Sequence, residues 1–231
     1  MNPYKALMEE AWEANMQLAG SGLVIHTFGN VSSLDAKEGV FAIKPSGVPY
    51  GELQSKDMVV VDLEAKTVFG NLRPSSDTKT HALLYRHFEG IGGICHTHSS
   101  YATAWAQAIK PIPPYGTTHA DHLHGEIPCT AVMTDEAIQG DYETETAHQI
   151  LNAFKHLSPL EVEMVLVACH GPFTWAKTAK KSVDNSVVLE ELAKMALFTI
   201  QINPEIGPLK QALLNKHYTR KHGENSYYGQ G

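Results

Sequence analysis

The stretch Gly92-Gly93-Ile94-Cys95-His96-Thr97-His98-Ser99 reads as a short buried strand ending in His-x-His. Residues i and i+2 of a strand point to the same face, so His96 and His98 present two imidazoles side by side. Two neutral imidazoles converging on one point suit a divalent transition metal, most often zinc. The pair alone reads more readily as hydrogen-bonded histidines than as ligands. A third imidazole changes the balance. His170 follows the apolar run Met164-Val165-Leu166-Val167-Ala168 and precedes Gly171-Pro172, at another strand end. Three histidines that leave a coordination position free make a catalytic metal site, because the open position admits substrate. Asp77 could add a carboxylate. Taken singly it reads first as a helix cap, since Ser76, Asp77 and Thr78 all cap helices well.

A second group of residues suits an anion. Gly29-Asn30, Ser46-Gly47 and Ser75-Ser76 are small polar turns, each beside a strand end or a helix start. Backbone N–H groups in such turns, with hydroxyl and amide side chains, form an anion nest. Lys44 adds a positive charge. Each turn by itself is only a turn. Together with a metal site they point to a small phosphorylated substrate.

These residues need a scaffold, and the rest of the chain supplies one. Asn2 and Pro3 open a helix whose stripe is Leu7, Met8, Ala11, Trp12 and Leu18. Leu23–Ile25, Val40–Ile43 and Met58–Asp62 read as strands, with Thr27 to Ser32 as a polar turn. Further helices are expected from Ser76–Thr78 through Phe88, from Ser99 or Ser100 to Ala108, over 142–156, 179–202 and 208–221. Ile127–Ala131 reads as a short strand, and Met164–Ala168 as the last clear one. Residues 117–122 are polar without a clear period. Strands and helices interleave without a linker, so residues 1–231 form a single α/β domain.

Composition removes several function classes. Lys and Arg number 18 against 25 Asp and Glu, a net charge of −7, which leaves no electrostatic footprint for nucleic acid. An anionic substrate must therefore be held by local donors. The three cysteines are odd in number and scattered, which fits a reducing compartment. No apolar run reaches membrane-spanning length and no signal core follows Met1, so a cytoplasmic location is expected.

The chain resembles the class II aldolase/epimerase family. The matching blocks are Gly29–Ser32, Ile43–Val48, Arg73–Thr78, Ile91–His98, Gly116–Asp121, His170–Phe173, Asn215–Tyr218, Arg220–Gly223 and Tyr227–Gln230. The resemblance implies a single-domain fold with a central, mainly antiparallel or mixed β-sheet flanked by helices. It implies one zinc ion per subunit, with manganese or cobalt also acceptable, on Asp77, His96, His98 and His170. Gly29, Asn30, Lys44, Ser46, Gly47, Ser75 and Ser76 would hold the phosphate. Asp121 and Tyr228 would be the acid/base pair, with His217 assisting. It further implies a cyclic homotetramer with sites between subunits, the tail 223–231 completing a neighbour's site. The activity implied is C4 epimerisation of a pentulose 5-phosphate by retro-aldol cleavage, a step that arabinose and ascorbate routes both use. An aldolase acting on L-fuculose or L-rhamnulose 1-phosphate is the alternative, and an adducin-like structural domain is a non-enzymatic one. Phe28, His122, His124, Cys169 and Ala176 depart from the family pattern, and His122 and His124 form a second His-x-His.

Overall fold

The computed structural model describes residues 2–222. Helix α1 (Lys5–Gly20) forms on the expected stripe, burying Leu7, Met8, Ala11, Ala14 and Leu18. It starts two residues later than the Asn2-Pro3 signal suggests. The Asn2 side chain instead accepts a hydrogen bond from the Tyr4 N–H at 2.9 Å, bracing the turn that leads in.

Seven strands form one sheet in the order β4-β3-β2-β1-β5-β7-β6. They are β1 (Asn30–Asp35), β2 (Val40–Ile43), β3 (Val59–Asp62), β4 (Thr67–Phe69), β5 (Gly93–His96), β6 (Met164–Val167) and β7 (Gly171–Ala176). Every neighbouring pair is antiparallel. Helices α2 (Thr78–His87), α3 (Ser100–Gln107), α4 (Thr117–Ala120), α5 (Asp135–Gln139), α6 (Tyr142–Ala153), α7 (Ala179–Ile202) and α8 (Gln211–His222) complete the chain. Val31 and Cys95 face α1 and α7, packing against Ala14, Leu18, Ala179 and Val183. Ile94, Phe173 and Trp175 face the larger core with Tyr85, Ile150 and Phe154 from α2, α6 and the residue after α6. The expected class, one α/β domain on a mainly antiparallel sheet, is the one observed.

The departures are local. Leu23–Ile25 is not a strand, and pairing begins at Asn30. β1 carries Ser32 and Ser33 where an apolar alternation is expected, yet both are buried. β4 is an exposed edge strand with no buried face to give it a period. β7 hides behind its Gly-Pro opening. Residues 127–131 form only isolated bridges, from Ile127 to Ile112 and from Cys129 to Leu166.

Register decides where chemistry gathers. Asn30, the first residue of β1, pairs with His96, the last of β5. His96 also pairs with Phe173, the third residue of β7, and Ser32 pairs with Ile43, the last of β2. Val167 at the end of β6 pairs with Gly171. The two starting strands and three finishing strands therefore meet at one end of the sheet, which carries Asn30, Lys44, His96 and His170.

Helix α7 lies close over β5, and Gly93 is the point of closest approach. A Cβ there would collide with the backbone of Ala179 and Thr178. Gly93→Ala is expected to cost about 1–3 kcal/mol, as overpacking of a closed core does. Urea denaturation measures it, and an unchanged midpoint would mean that α7 can shift without penalty.

Candidate metal centre

His96 is buried at the end of β5, while His98 and His170 are half-buried beside it. Their ligand nitrogens all lie within 4.8 Å of one another. Each ring is oriented by the fold. His96 stacks on Phe173 at 4.1 Å, and its Nδ1 lies 2.9 Å from the Pro172 carbonyl oxygen. A carbonyl only accepts, so Nδ1 carries the proton and Nε2 is left with its lone pair. That Nε2 faces the Nε2 of His98 at 3.1 Å. Gly171 allows this proximity. A Cβ there would lie 2.8 Å from the Thr97 carbonyl oxygen and 3.7 Å from His98 Nδ1. Burial pushes the basicity of His170 down to about 3 and lowers that of His98, so both are neutral near pH 7. Three imidazoles, one oriented by a backbone carbonyl on its far nitrogen, fit a transition-metal ion by the chemistry of the donor set.

Asp77 precedes α2 but does not cap it, because its side chain makes no cap hydrogen bond. Its Oδ2 accepts from Asn30 Nδ2 at 2.6 Å and from Ser75 Oγ at 3.5 Å. Burial works to raise this carboxyl. The imidazoles of His96 and His81 and the amide of Asn30 outweigh it and hold the group below the usual carboxylate range. Asp77 thus stays ionised. It lies outside the three-histidine cluster but lines the same cavity.

That cavity is about 320 Å³ and is lined by Gly29, Asn30, Lys44, Ser46, Gly47, Ser75, Ser76, Asp77, His96, His98 and His170, with Thr27, Phe28 and Pro45. All seven residues expected at the phosphate end therefore share one space with all four expected ligands. Two loops are tied together to build it. Ser46 N donates to the Arg73 carbonyl at 2.9 Å, and Ser75 N donates to the Lys44 carbonyl at 3.0 Å. Lys44 is 2% exposed, and its ammonium has only carbonyl neighbours at 3.4 Å and the Tyr50 ring at 4.8 Å. Burial lowers it to about 8, and among the described residues it has no carboxylate partner. A buried cation without a counter-ion favours an anionic ligand.

A family model, the class II aldolase and adducin N-terminal domain, matches residues 9–197. The chain belongs to this family. Among curated proteins it is 50% identical over 224 residues to L-ribulose-5-phosphate 4-epimerase UlaF of Salmonella paratyphi C (strain RKS4594), covering 97% of this chain and 98% of that one. Its namesake in Salmonella paratyphi B (strain ATCC BAA-1250 / SPB7) is 49% identical over the same share. Among solved structures, an L-fuculose 1-phosphate aldolase superposes with a TM-score of 0.77 at 23% identity, covering 92% of this chain and 94% of that one. YgbL from Klebsiella pneumoniae, a putative aldolase/epimerase/decarboxylase, gives 0.70 at 25% identity over 94% and 99%. The family is typically metal-dependent, and among the described residues this chain carries a histidine cluster able to hold a metal.

Two of the expected acid/base residues, Asp121 and His217, sit elsewhere. Asp121 follows α4 and accepts from His217 Nδ1 at 3.0 Å and from Arg220 Nε and Nη2 at 3.0 and 2.8 Å. Lys221 Nζ stands 4.0 Å away. Burial raises the Asp121 carboxyl, but Arg220 and His217 more than offset it and hold the group below its ordinary value. Neither Asp121 nor His217 lines the cavity. Tyr228 and the tail 223–231 lie outside the described residues. His124 is turned to Asn215 Oδ1 at 2.8 Å and to the Tyr218 ring. One buried histidine that the pattern of motifs missed is His81, four residues beyond Asp77 on α2.

Proposed function

We propose that this protein is a zinc-dependent epimerase that interconverts L-ribulose 5-phosphate and D-xylulose 5-phosphate. The observation that carries the proposal is the convergence on one cavity of three imidazoles, an ionised carboxylate and a buried lysine that has no carboxylate partner among the described residues. The relative that is 50% identical over nearly the whole chain supports the choice of substrate.

The C4 hydrogen of a ketopentose phosphate is not acidic, so deprotonation cannot invert that centre. Cleaving and re-forming the C3–C4 bond can. His96, His98, His170 and Asp77 would hold a divalent cation, which would supply Lewis-acid stabilisation of the negative charge that cleavage leaves on the three-carbon fragment. Lys44 and the turns at Gly29-Asn30, Ser46-Gly47 and Ser75-Ser76 hold the phosphate, which stays on the two-carbon aldehyde fragment. Anchored there, the aldehyde rotates to its other face without escaping. A proton leaves the C4 oxygen on one side and returns on the other, which needs two groups. Asp121, with His217 beside it, is one, and Tyr228 is the other. Because Asp121 stands away from the cavity of its own chain, these groups act across the subunit boundaries of a cyclic homotetramer.

A coupled assay for D-xylulose 5-phosphate tests the proposal. Turnover is expected from L-ribulose 5-phosphate, lost on chelation and restored by zinc. Release of free dihydroxyacetone phosphate from L-fuculose or L-rhamnulose 1-phosphate, with no epimerisation, would replace it with the aldolase reading.

A further inference from the structure

Tyr50 stands behind the anion end of the cavity and does not line it. Its ring belongs to the smaller core, with Leu7 and Met8 of α1, Ala42 of β2 and Val60 of β3, and the residue is 7% exposed. The backbone around it is tied down. Leu53 N donates to the Tyr50 carbonyl at 3.3 Å, and the Trp12 indole of α1 donates to the Leu53 carbonyl at 2.9 Å. A ring fixed in this way can support what lies on its other side.

Two parts of the anion end meet that ring. The first is the Gly29-Asn30 turn. Tyr50 Oη donates to the Gly29 carbonyl at 2.9 Å. Gly29 has a φ of +84°, in the left-handed region, and a Cβ there would lie 3.0 Å from the His96 carbonyl oxygen. Asn30, next in the chain, pairs with His96. The turn is therefore held between β5 on one side and the Tyr50 hydroxyl on the other. Glycine has the most backbone freedom of any residue, and the hydrogen bond removes freedom that its own sterics leave.

The second part is Lys44. Its Nζ lies 4.8 Å from the centroid of the Tyr50 ring, within reach of cation–π attraction. Its hydrogen bonds to the Thr27 and Pro45 carbonyls are both 3.4 Å long, past the usual limit of about 3.2 Å, so they hold the ammonium weakly. A flexible lysine stem otherwise carries its charge toward water. The ring face gives the ammonium a reason to stay.

We infer that Tyr50 is a positioning residue for the anion: it carries the Lys44 ammonium on its ring face and sets the Gly29-Asn30 turn with its hydroxyl, so that both contacts are in place before a phosphate arrives. This rests on the reading of the cavity as a phosphate site. Tyr50 acts only through Lys44 and Gly29. Pre-organised contacts lower the cost of binding, so loss of the support shows in affinity and not in the chemical step.

Inorganic phosphate is the probe, titrated against the full chain and followed by phosphorus nuclear magnetic resonance. KM and kcat for L-ribulose 5-phosphate and the affinity for Co(II) are measured beside it. Tyr50→Phe keeps the ring and removes the hydroxyl, whereas Tyr50→Leu removes both. Phosphate binding is expected to weaken about 3- to 10-fold in Tyr50→Phe and about 10- to 100-fold in Tyr50→Leu. KM should rise in step, with kcat and Co(II) affinity unchanged. Unaltered phosphate affinity in either variant would overturn the inference. So would a parallel loss of Co(II) affinity, or a fall in kcat at unchanged KM, since either marks a general loosening of the site. If Tyr50→Leu does not fold, Tyr50→Phe decides alone by the same criteria. An unaltered chain that holds phosphate without epimerising would overturn the reaction proposed above, and the phosphate titrations would still decide this inference. Absence of phosphate binding by the unaltered chain would bring down the anion site and this inference with it.

Discussion

His98→Ala is expected to lower turnover of L-ribulose 5-phosphate by about 10²- to 10³-fold or more, the scale of losing a pre-organised electrostatic group at a developing charge. The metal should be lost or held weakly, and the fold should be intact. His98 is half-buried, and its ring contacts His96, His170 and Phe28, all at the cavity. His96 is a poorer choice for the same test. It is buried, stacked on Phe173 and bonded to the Pro172 carbonyl, so its loss would also loosen the sheet where β5 meets β7. Kinetics, bound metal by atomic absorption, and a thermal melt of His98→Ala separate the effects. Turnover within a factor of two of the unaltered chain, with no metal bound, would remove the centre from catalysis.

The clustered histidines are legible in the sequence because His96 and His170 each follow an apolar run, with His98 two residues beyond His96, and apolar runs are what a buried strand needs. His96 follows Ile94-Cys95 and His170 follows Met164–Val167, so reading strand ends was enough to bring them together. β1 was not legible for the opposite reason. Its Ser32 is buried with its hydroxyl against His81 and Tyr85, a polar side chain at a core position, so the strand has no hydrophobic period. The same fact hid His81, since a polar residue satisfied by another buried polar residue leaves no mark in either local pattern. Asp77 was ambiguous in sequence because a cap and a ligand carboxylate occupy the same place at a helix start. Only the side-chain direction distinguishes them, and it turns toward Asn30. Asp121 draws its partners from α8, about a hundred positions away, a separation over which spacing carries no information.

Asp121→Asn should separate the two halves of the site. General acid–base groups contribute about 10²- to 10⁴-fold, so a loss in that range is expected with metal content unchanged. Arg220 and His217 hold Asp121 ionised, the form that the proposed role as proton acceptor requires. Asn cannot accept that proton. Its amide can still meet one donor, so the α4–α8 contact should largely survive. The position of Asp121 makes a second expectation sharper. It does not line the cavity that holds His98 in its own chain. If the sites lie between subunits, Asp121→Asn chains keep sound metal centres and His98→Ala chains keep sound bases. Random mixing in a cyclic oligomer then pairs a sound centre with a sound base at about a quarter of the boundaries. Two preparations that are each nearly inactive should therefore recover about a quarter of normal turnover after dissociation and reassembly together. Sites contained within single chains would recover nothing, because every chain in the mixture would still carry one of the two defects.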